Sequence, residues 1–230
     1  MSGSYVRDPM TRFLTYNVRH GQGVLSPVSL SRTARTIASL EPDVVVVNEL
    51  YRWPGRYDQP ASLARLLGME HLLQVNTRFG LVEYGNAILS RWPLELVADV
   101  SLPRRREARG LLIAAVALKG ARALVSATHL ALHRQTRAEQ LGAVAAALAL
   151  QPEAPRVLCG DFNCGPGELG PVLDELRLNH DTPPTYPSLA PLARLDHILW
   201  SDHWNLRSMT TARSLASDHL PLYADLALRD

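Results

Sequence analysis

Val157-Leu-Cys-Gly-Asp-Phe-Asn-Cys164 sets an acid and an amide, Asp161 and Asn163, directly after an apolar run that reads as a buried strand. The same arrangement recurs along the chain. Asn17 follows Phe13-Leu-Thr-Tyr16, Glu49 follows Val44-Val-Val-Val-Asn48, and His129 follows Leu124-Val-Ser-Ala-Thr128. Asp196 and His197 lie inside Arg194-Leu-Asp-His-Ile-Leu199, and Asp218 and His219 precede Leu220-Pro-Leu222. Strands of one sheet end side by side, so residues distant in sequence can converge there on one cleft.

The elements between these points follow from periodicity. Thr11 to Tyr16 and Asp43 to Val47 read as buried strands, with Leu30, Ala34, Ile37 and Ala38 at helical spacing between them. Further strands are expected over Asn86 to Ser90, Leu94 to Val100, Leu111 to Leu118, Ala123 to Thr128, Arg156 to Gly160, Leu195 to Trp200 and Leu220 to Leu228. The longest helix is expected from His133 to Leu150, with an apolar stripe of Leu141, Val144, Ala145 and Leu148 and with Arg134, Arg137 and Glu139 on the surface. Many short strands and three or four helices predict a layered α+β architecture, not a regular doubly wound fold.

Composition bounds the rest. A chain of 230 residues that is 47% hydrophobic can bury one substantial core. Residues 1–10 read as a flexible N-terminus and 11–230 as a single domain. Lys and Arg total 24 against 22 acidic residues, a formal charge of +2, so any attraction to phosphate must be local. The N-terminus lacks the apolar stretch of a secretory signal, and no apolar run approaches the roughly 20 residues of a membrane span. A soluble, cytoplasmic monomer is expected. Cys159 and Cys164 cannot build a disulfide framework and lack zinc-finger spacing, so Cys159 reads as a small buried hydrophobe.

Taken singly, each polar residue has an ordinary reading. Asn17 suits a turn, His129 a hydrogen-bonded core position, Asp161 with Asn163 an Asx-turn, and Asp218 a cap. Glu49, after four valines, is harder to place, because a carboxylate there must be solvated, paired or bound to metal. Arg104-Arg-Arg106 reads as a solvated loop, while Arg109 stands out because Gly110 and a strand follow it. The combination is what changes the reading.

The ordered series Tyr16-Asn-Val-Arg-His-Gly21, Asn48-Glu-Leu50, Gly85-Asn-Ala-Ile-Leu-Ser-Arg91, Thr128-His-Leu130, Gly160-Asp-Phe-Asn163, Leu195-Asp-His-Ile198 and Ser217-Asp-His219 resembles the endonuclease/exonuclease/phosphatase superfamily over essentially the whole chain. Gly-Asp-Phe-Asn and the terminal Ser-Asp-His are its most specific signatures. The resemblance implies a four-layered αββα sandwich of the DNase I-like kind, two packed mixed sheets with helices outside. It implies a hydrolase acting on phosphoester bonds with Mg²⁺ or Mn²⁺, held by Asn17, Glu49 and Asp218. His129, Asp161, Asn163, Asp196 and His219 become the catalytic set, with Asp196 holding the His219 ring. Arg19, Asn86 and Arg109 become substrate-binding candidates.

Three positions depart from the pattern. Asn48 replaces a Gln before the metal glutamate, Arg19 stands where abasic endonucleases carry Asp, and His197 stands where Tyr is common and reads as a half-buried aromatic substitute. For the substrate, the loop Leu102 to Arg109 and the cluster of Tyr51, Arg52, Trp53, Arg56 and Tyr57 favour a phosphodiester in DNA or RNA. A small-molecule or lipid phosphoester is the alternative. A noncatalytic binding module would have lost the polar series, and a serine hydrolase built on Ser126 or Ser217 lacks the Gly-x-Ser-x-Gly elbow.

Overall fold

The computed structural model describes residues 10–118 and 121–229. Residues 1–9 of the expected flexible N-terminus lie outside the described residues, and Met10 already belongs to the first strand. In chain order the elements are β1 (Met10–Asn17), β2 (Gln22–Gly23), β3 (Ser26–Val28), α1 (Leu30–Ala38), β4 (Val44–Trp53), β5 (Tyr57–Asp58), α2 (Gln59–Leu67), β6 (Glu70–Phe79), β7 (Val82–Ser90) and β8 (Leu94–Ser101). There follow β9 (Gly110–Leu118), β10 (Ala121–His129), α3 (Arg134–Leu148), β11 (Arg156–Asp161), α4 (Gly170–Leu173), β12 (Asp196–Trp200), β13 (Trp204–Thr211) and β14 (Leu222–Leu228).

Two sheets hold nearly all the strands. One runs β13-β14-β1-β4-β7-β6 with β5 attached to β4, and the other runs β12-β11-β10-β9-β8. Each is mixed: β1 and β4 are parallel, as are β10 and β11, and the remaining neighbours are antiparallel. The valines of β4 show why the layers form. Val44 and Val46 face the second sheet and pack with Leu112, Ala114, Val125, Val157 and Ile198. Val45 and Val47 face the other way, onto Ala34 and Ile37 of α1 and Leu63 of α2. A strand buried on both faces needs an unbroken apolar run, and this is one. The outer face of the second sheet, through Leu124, Leu158 and Leu199, packs on Leu141, Val144 and Leu148 of α3 and Val172 of α4. The result is the αββα sandwich.

The structure corrects several boundaries. Strand β4 does not stop before Glu49 but continues to Trp53, because a one-residue bulge against β7 absorbs Glu49: Val47 pairs with Ala87, yet Leu50 pairs with Gly85. Strand β14 starts at Leu222, not Leu220, since Pro221 has no N–H for the ladder. Besides the two- and three-residue strands β2, β3 and β5, two long strands were not foreseen, β6 and β13. Both are edges of the larger sheet, and their half-exposed mixed sequences, His-Leu-Leu-Gln-Val-Asn and Trp-Asn-Leu-Arg-Ser-Met, lack a clean alternation. A bulge in each adds to the irregularity.

Two side chains also differ from expectation. Arg137 is buried, not on the surface of α3, with its guanidinium on both carboxylate oxygens of Glu168 and on the carbonyls of Ala131 and Leu132. It braces the loop that follows His129. His197 is fully buried, not half-buried, since β12 lies flat against β11; its Nε2 meets the Cys164 carbonyl at 2.8 Å and its ring stands edge-on to Phe162. Cys159, as expected, is a small core hydrophobe, and burial pushes its thiol up.

Burial pushes the His197 imidazole down to about 4. The folded protein therefore resists a proton that the unfolded chain accepts near pH 6.5, so His197 supports stability above that pH and withdraws it as pH falls toward 4. Urea unfolding from pH 7 to 4.5 should show wild type losing stability relative to His197→Tyr by about 1.4 kcal/mol per pH unit below pH 6.5. A constant difference across that range would mean the folded ring takes up a proton as readily as the unfolded chain does.

Candidate active site

The site is the polar end of the core between the sheets. Along β1 the residues facing that core are Phe13, Thr15 and Asn17; along β4 they are Val44, Val46 and Asn48; along β7, Ile88 is followed by Asn86. The second sheet does the same, with Ala127 leading to His129, Cys159 to Asp161 and Ile198 to Asp196. Register then aligns them laterally. His129 pairs with Asp161 and Asp161 with Asp196 across three strands, and Asn17 pairs with Asn48 in the facing sheet.

Asp161 is the hub. It is 1% exposed. Its Oδ2 accepts from Asn17 Nδ2 at 3.0 Å and lies 3.5 Å from His129 Nε2 and 3.7 Å from His219 Nε2. Its Oδ1 accepts from the Asn163 backbone N–H at 2.9 Å, which is the Asx-turn of the ordinary reading, formed at the floor of the cleft. Asn163 adopts φ +51°, a conformation asparagine tolerates, and its side-chain amide donates to the Leu130 carbonyl. Gly160 is required before this turn, because a Cβ there would come 1.9 Å from the Thr128 carbonyl oxygen on β10.

His219 reaches the hub from the loop before β14. Its Nδ1 meets Asp196 Oδ2 at 2.8 Å, as expected, and the Tyr186 ring packs on it. Burial alone would push this imidazole down, but the Asp196 carboxylate, with Asp161 and Asp218 behind it, outweighs burial and raises it to about 10. It is an imidazolium at neutral pH. Burial and then the nearby Asp196 charge push the Asp161 carboxyl upward from its usual range as well.

Glu49 joins from the bulge in β4, in a left-handed conformation with φ +63°. Its Oε1 accepts from Asn17 Nδ2 at 3.0 Å, so one amide is shared by two carboxylates. The His20 imidazole stands 4.0 Å from Oε2. Asp218 does not join this pair by contact; it is partly exposed and faces Arg19 at 3.6 Å. Among the described residues, the acidic and imidazole groups close enough for one ion are Asp161, Asp196 and His219, but Asp196 and His219 are already hydrogen-bonded to each other. The Glu49 and Asp161 carboxylates lie on either side of the Asn17 amide nitrogen, while the Asn17 Oδ1 accepts from the Arg19 N–H; carboxylate and amide oxygens are the donor types a hard divalent cation takes.

Two substrate-binding candidates have other work. Asn86 is buried one row too deep to touch the cleft, where its Oδ1 accepts from Asn48 Nδ2. Arg109 lines the cleft, but Nη1 is on His129 Nδ1 at 3.0 Å and Nη2 on Glu107 at 2.7 Å. Arg19 is half-exposed and is not among the cleft-lining residues, though its partner Asp218 is. Asn48 acts as a cross-link: its amide donates to Asn86 and the Thr128 carbonyl and accepts from the Asp161 N–H, tying the two sheets together under the site. The serines rejected from sequence are indeed structural, Ser217 donating to the Asn17 carbonyl and Ser126 lying fully buried.

The cleft above the hub has a volume of about 1110 Å³. One wall is the tip of the β6–β7 hairpin, with Arg78, Phe79 and Tyr84, and another is the loop carrying Arg104 and Arg106. Sequence reading missed Phe79, Tyr84 and Tyr186; for Tyr84 the signal was the adjoining Gly85, where a Cβ would come 1.7 Å from the Gln74 carbonyl oxygen. Of the aromatic cluster after Glu49, Tyr51 lines the cleft, while Trp53 stacks under Arg56 on a separate surface.

Known proteins share this fold. The chain matches an endonuclease/exonuclease/phosphatase protein from Beutenbergia cavernae DSM 12333 with TM-score 0.80 and 24% identity, over 96% of this chain and 72% of that one. The human Nocturnin catalytic domain with a bound sulfate anion superposes with TM-score 0.73 and 19% identity, over 97% and 95% of the two chains. A mannosyl-6-phosphatase from Bacteroides thetaiotaomicron VPI-5482 superposes with TM-score 0.74 and 14% identity, over 95% and 100%. No curated protein matches the chain by sequence. At these identities the superpositions speak for the fold, whereas the Endonuclease/Exonuclease/phosphatase family matches residues 14–219 by sequence. The chain belongs to that family, whose members are phosphoester hydrolases.

Proposed function

We propose that the protein is a divalent-metal-dependent phosphodiesterase that cleaves a nucleic-acid-like substrate by attack of an activated water. The observation that carries this reading is the single Asp161 oxygen flanked by the Asn17 amide and two imidazoles at the floor of a wide cleft. A phosphodiester needs donors for its non-bridging oxygens, an acceptor for the proton of water and a charged partner for the departing oxygen. The floor supplies one of each.

Asp161, its affinity for a proton raised by burial and by Asp196, takes the proton of the attacking water. Asn163 fixes the Asp161 carboxylate through its backbone N–H. The His219 imidazolium, kept charged by Asp196, contacts the phosphate and stabilises the leaving oxygen. His129 presents a further donor through Nε2. Glu49 and Asn17 would hold the cation, which as Mg²⁺ or Mn²⁺ supplies a Lewis acid for a phosphate oxygen. Alignment matters more than reactivity here, because an anionic diester repels a nucleophile that is not held in line.

The walls favour a long substrate. Arg104 and Arg106 have no acidic partner among the described residues, and Arg78, Phe79, Tyr84 and Tyr186 line the same space, a mixture suited to backbone phosphates and stacked bases. The cleft volume also exceeds what one sugar phosphate fills. The likeness to a mannosyl-6-phosphatase supports the second reading, a small phosphomonoester.

His219→Ala should lower turnover by about two to four powers of ten, the usual worth of a general acid or base. A loss below tenfold with binding intact would remove His219 from the chemistry. Activity should vanish in EDTA and return with Mg²⁺ or Mn²⁺; persistence in chelator would exclude the cation assigned to Glu49 and Asn17. A substrate panel of single-stranded, double-stranded and abasic DNA, RNA, mannose 6-phosphate, an inositol phospholipid and sphingomyelin, with Glu49→Ala beside wild type, separates the readings. Hydrolysis confined to the sugar phosphate or a lipid would overturn the nucleic-acid preference and leave the hydrolytic site standing.

A further inference from the structure

Two imidazoles approach the same Asp161 oxygen, and they are wired in opposite ways. Behind His219 stands a carboxylate, Asp196; behind His129 stands a guanidinium, Arg109. A guanidinium has five donors and no acceptor, so His129 Nδ1, at 3.0 Å from Arg109 Nη1, must be the acceptor. The other nitrogen then carries the ring proton. We infer that Arg109 is a positioning residue that locks His129 in the Nε2–H tautomer, making that imidazole a fixed hydrogen-bond donor aimed at the substrate phosphate. The aim at phosphate rests on the phosphodiesterase reading of the cleft; the tautomer lock does not.

Both partners are held in place. Arg109 is 9% exposed, its second amino group is tied to Glu107, and its carbonyl accepts from the Leu102 N–H. Gly110, the next residue, begins β9 against the facing sheet, where a Cβ would lie 2.5 Å from the Gln74 side chain and 2.6 Å from that of Asn76. On the other strand, the Thr128 hydroxyl donates to the Gly110 carbonyl at 3.0 Å, one residue before His129. The β9–β10 register thus delivers a guanidinium and an imidazole to each other with little freedom in either.

The surroundings agree with this assignment. Burial, then the Arg109 charge, then His219 all push the His129 imidazole well below its ordinary range. A ring flanked by a guanidinium and an imidazolium has no reason to take a second proton. Its Nε2 lies 3.5 Å from Asp161 Oδ2, where an N–H is welcome and a lone pair is not. The two histidines therefore divide the work. His219 carries and exchanges a proton, while His129 donates a hydrogen bond and keeps its proton.

The lock is tested by long-range ¹H–¹⁵N correlation on the full-length chain labelled with ¹⁵N-histidine, with His129 assigned through a His129→Phe variant. Wild type should show Nδ1 unprotonated and Nε2 protonated. Arg109→Met should abolish that single-tautomer signature and lower kcat by about 10²-fold, the worth of one preorganised donor, with KM little changed. Arg109→Lys, which keeps a donor and no acceptor, should recover the tautomer and most of kcat. A wild-type ring bearing Nδ1–H overturns the inference even if the variants fail to fold, and so does an Arg109→Met protein that retains the wild-type tautomer. Failure of wild type to hydrolyse any phosphoester would instead sink the phosphodiesterase reading and leave the spectrum to decide the lock.

Discussion

A carboxylate withdrawn from water must find donors, and Asp161 has to find them where two sheets meet. Stripped of water and left alone, such a group would cost several kcal/mol. The structure meets that demand with the Asn17 amide from one sheet, two imidazoles and a backbone N–H from its own turn. Each of those donors must in turn be held, and the second tier follows from them. Asp196 stands behind His219, Arg109 behind His129 and Asn48 beneath the Asp161 N–H. The site is in this sense a hydrogen-bond problem that the sandwich solves by replacing the last row of its apolar core with polar residues.

The same constraint explains where the backbone departs from regular geometry. Glu49 could not point into the cleft from a regular β4, because its neighbours Val46 and Asn48 already occupy the inward face and strict alternation would turn it outward. The bulge against β7 resets the alternation by one residue and places Glu49 at φ +63°, a conformation that costs about 1–3 kcal/mol for a residue other than glycine. A second bulge, between β6 and β7, follows directly, and Gly85 sits where the two meet. These irregularities all lie at the cleft end of the larger sheet. At the opposite end the central strands pair regularly, Phe13 with Val44 and Val44 with Ser90, and the bulge there is confined to the edge strand β13.

What was legible in the sequence tracks how strongly each residue is buried. The central strands β1, β4, β10 and β11 are buried on both faces, so their apolar runs announced them and the polar residue ending the inward row stood out. Edge strands β6 and β13 bury one face weakly, and they went unread although β6 builds one wall of the cleft. Partners that act through space were equally hidden. Nothing in Arg104-Arg-Arg-Glu-Ala-Arg109 distinguishes the arginine that enters the core from those that line the cleft; only the β9–β10 register shows that Arg109 meets His129. Asn48 was read only as a replacement for Gln before the metal glutamate, whereas its three hydrogen bonds make it the cross-link between the sheets.

Electrostatics at the floor is deliberately unbalanced. Glu49, Asp161, Asp196 and Asp218 bring four carboxylates, and the cationic groups in contact with them are the His219 imidazolium and Arg19. Arg109 does not neutralise any of the four, because Glu107 takes one of its amino groups and His129 the other. The guanidinium charge is instead passed on as the polarity of an N–H, a way to bring positive potential toward Asp161 without placing a mobile cation against it. Glu49 has the Asn17 amide and, at 4.0 Å, the His20 imidazole beside its carboxylate, and it is this excess of negative charge that the proposed divalent cation would offset.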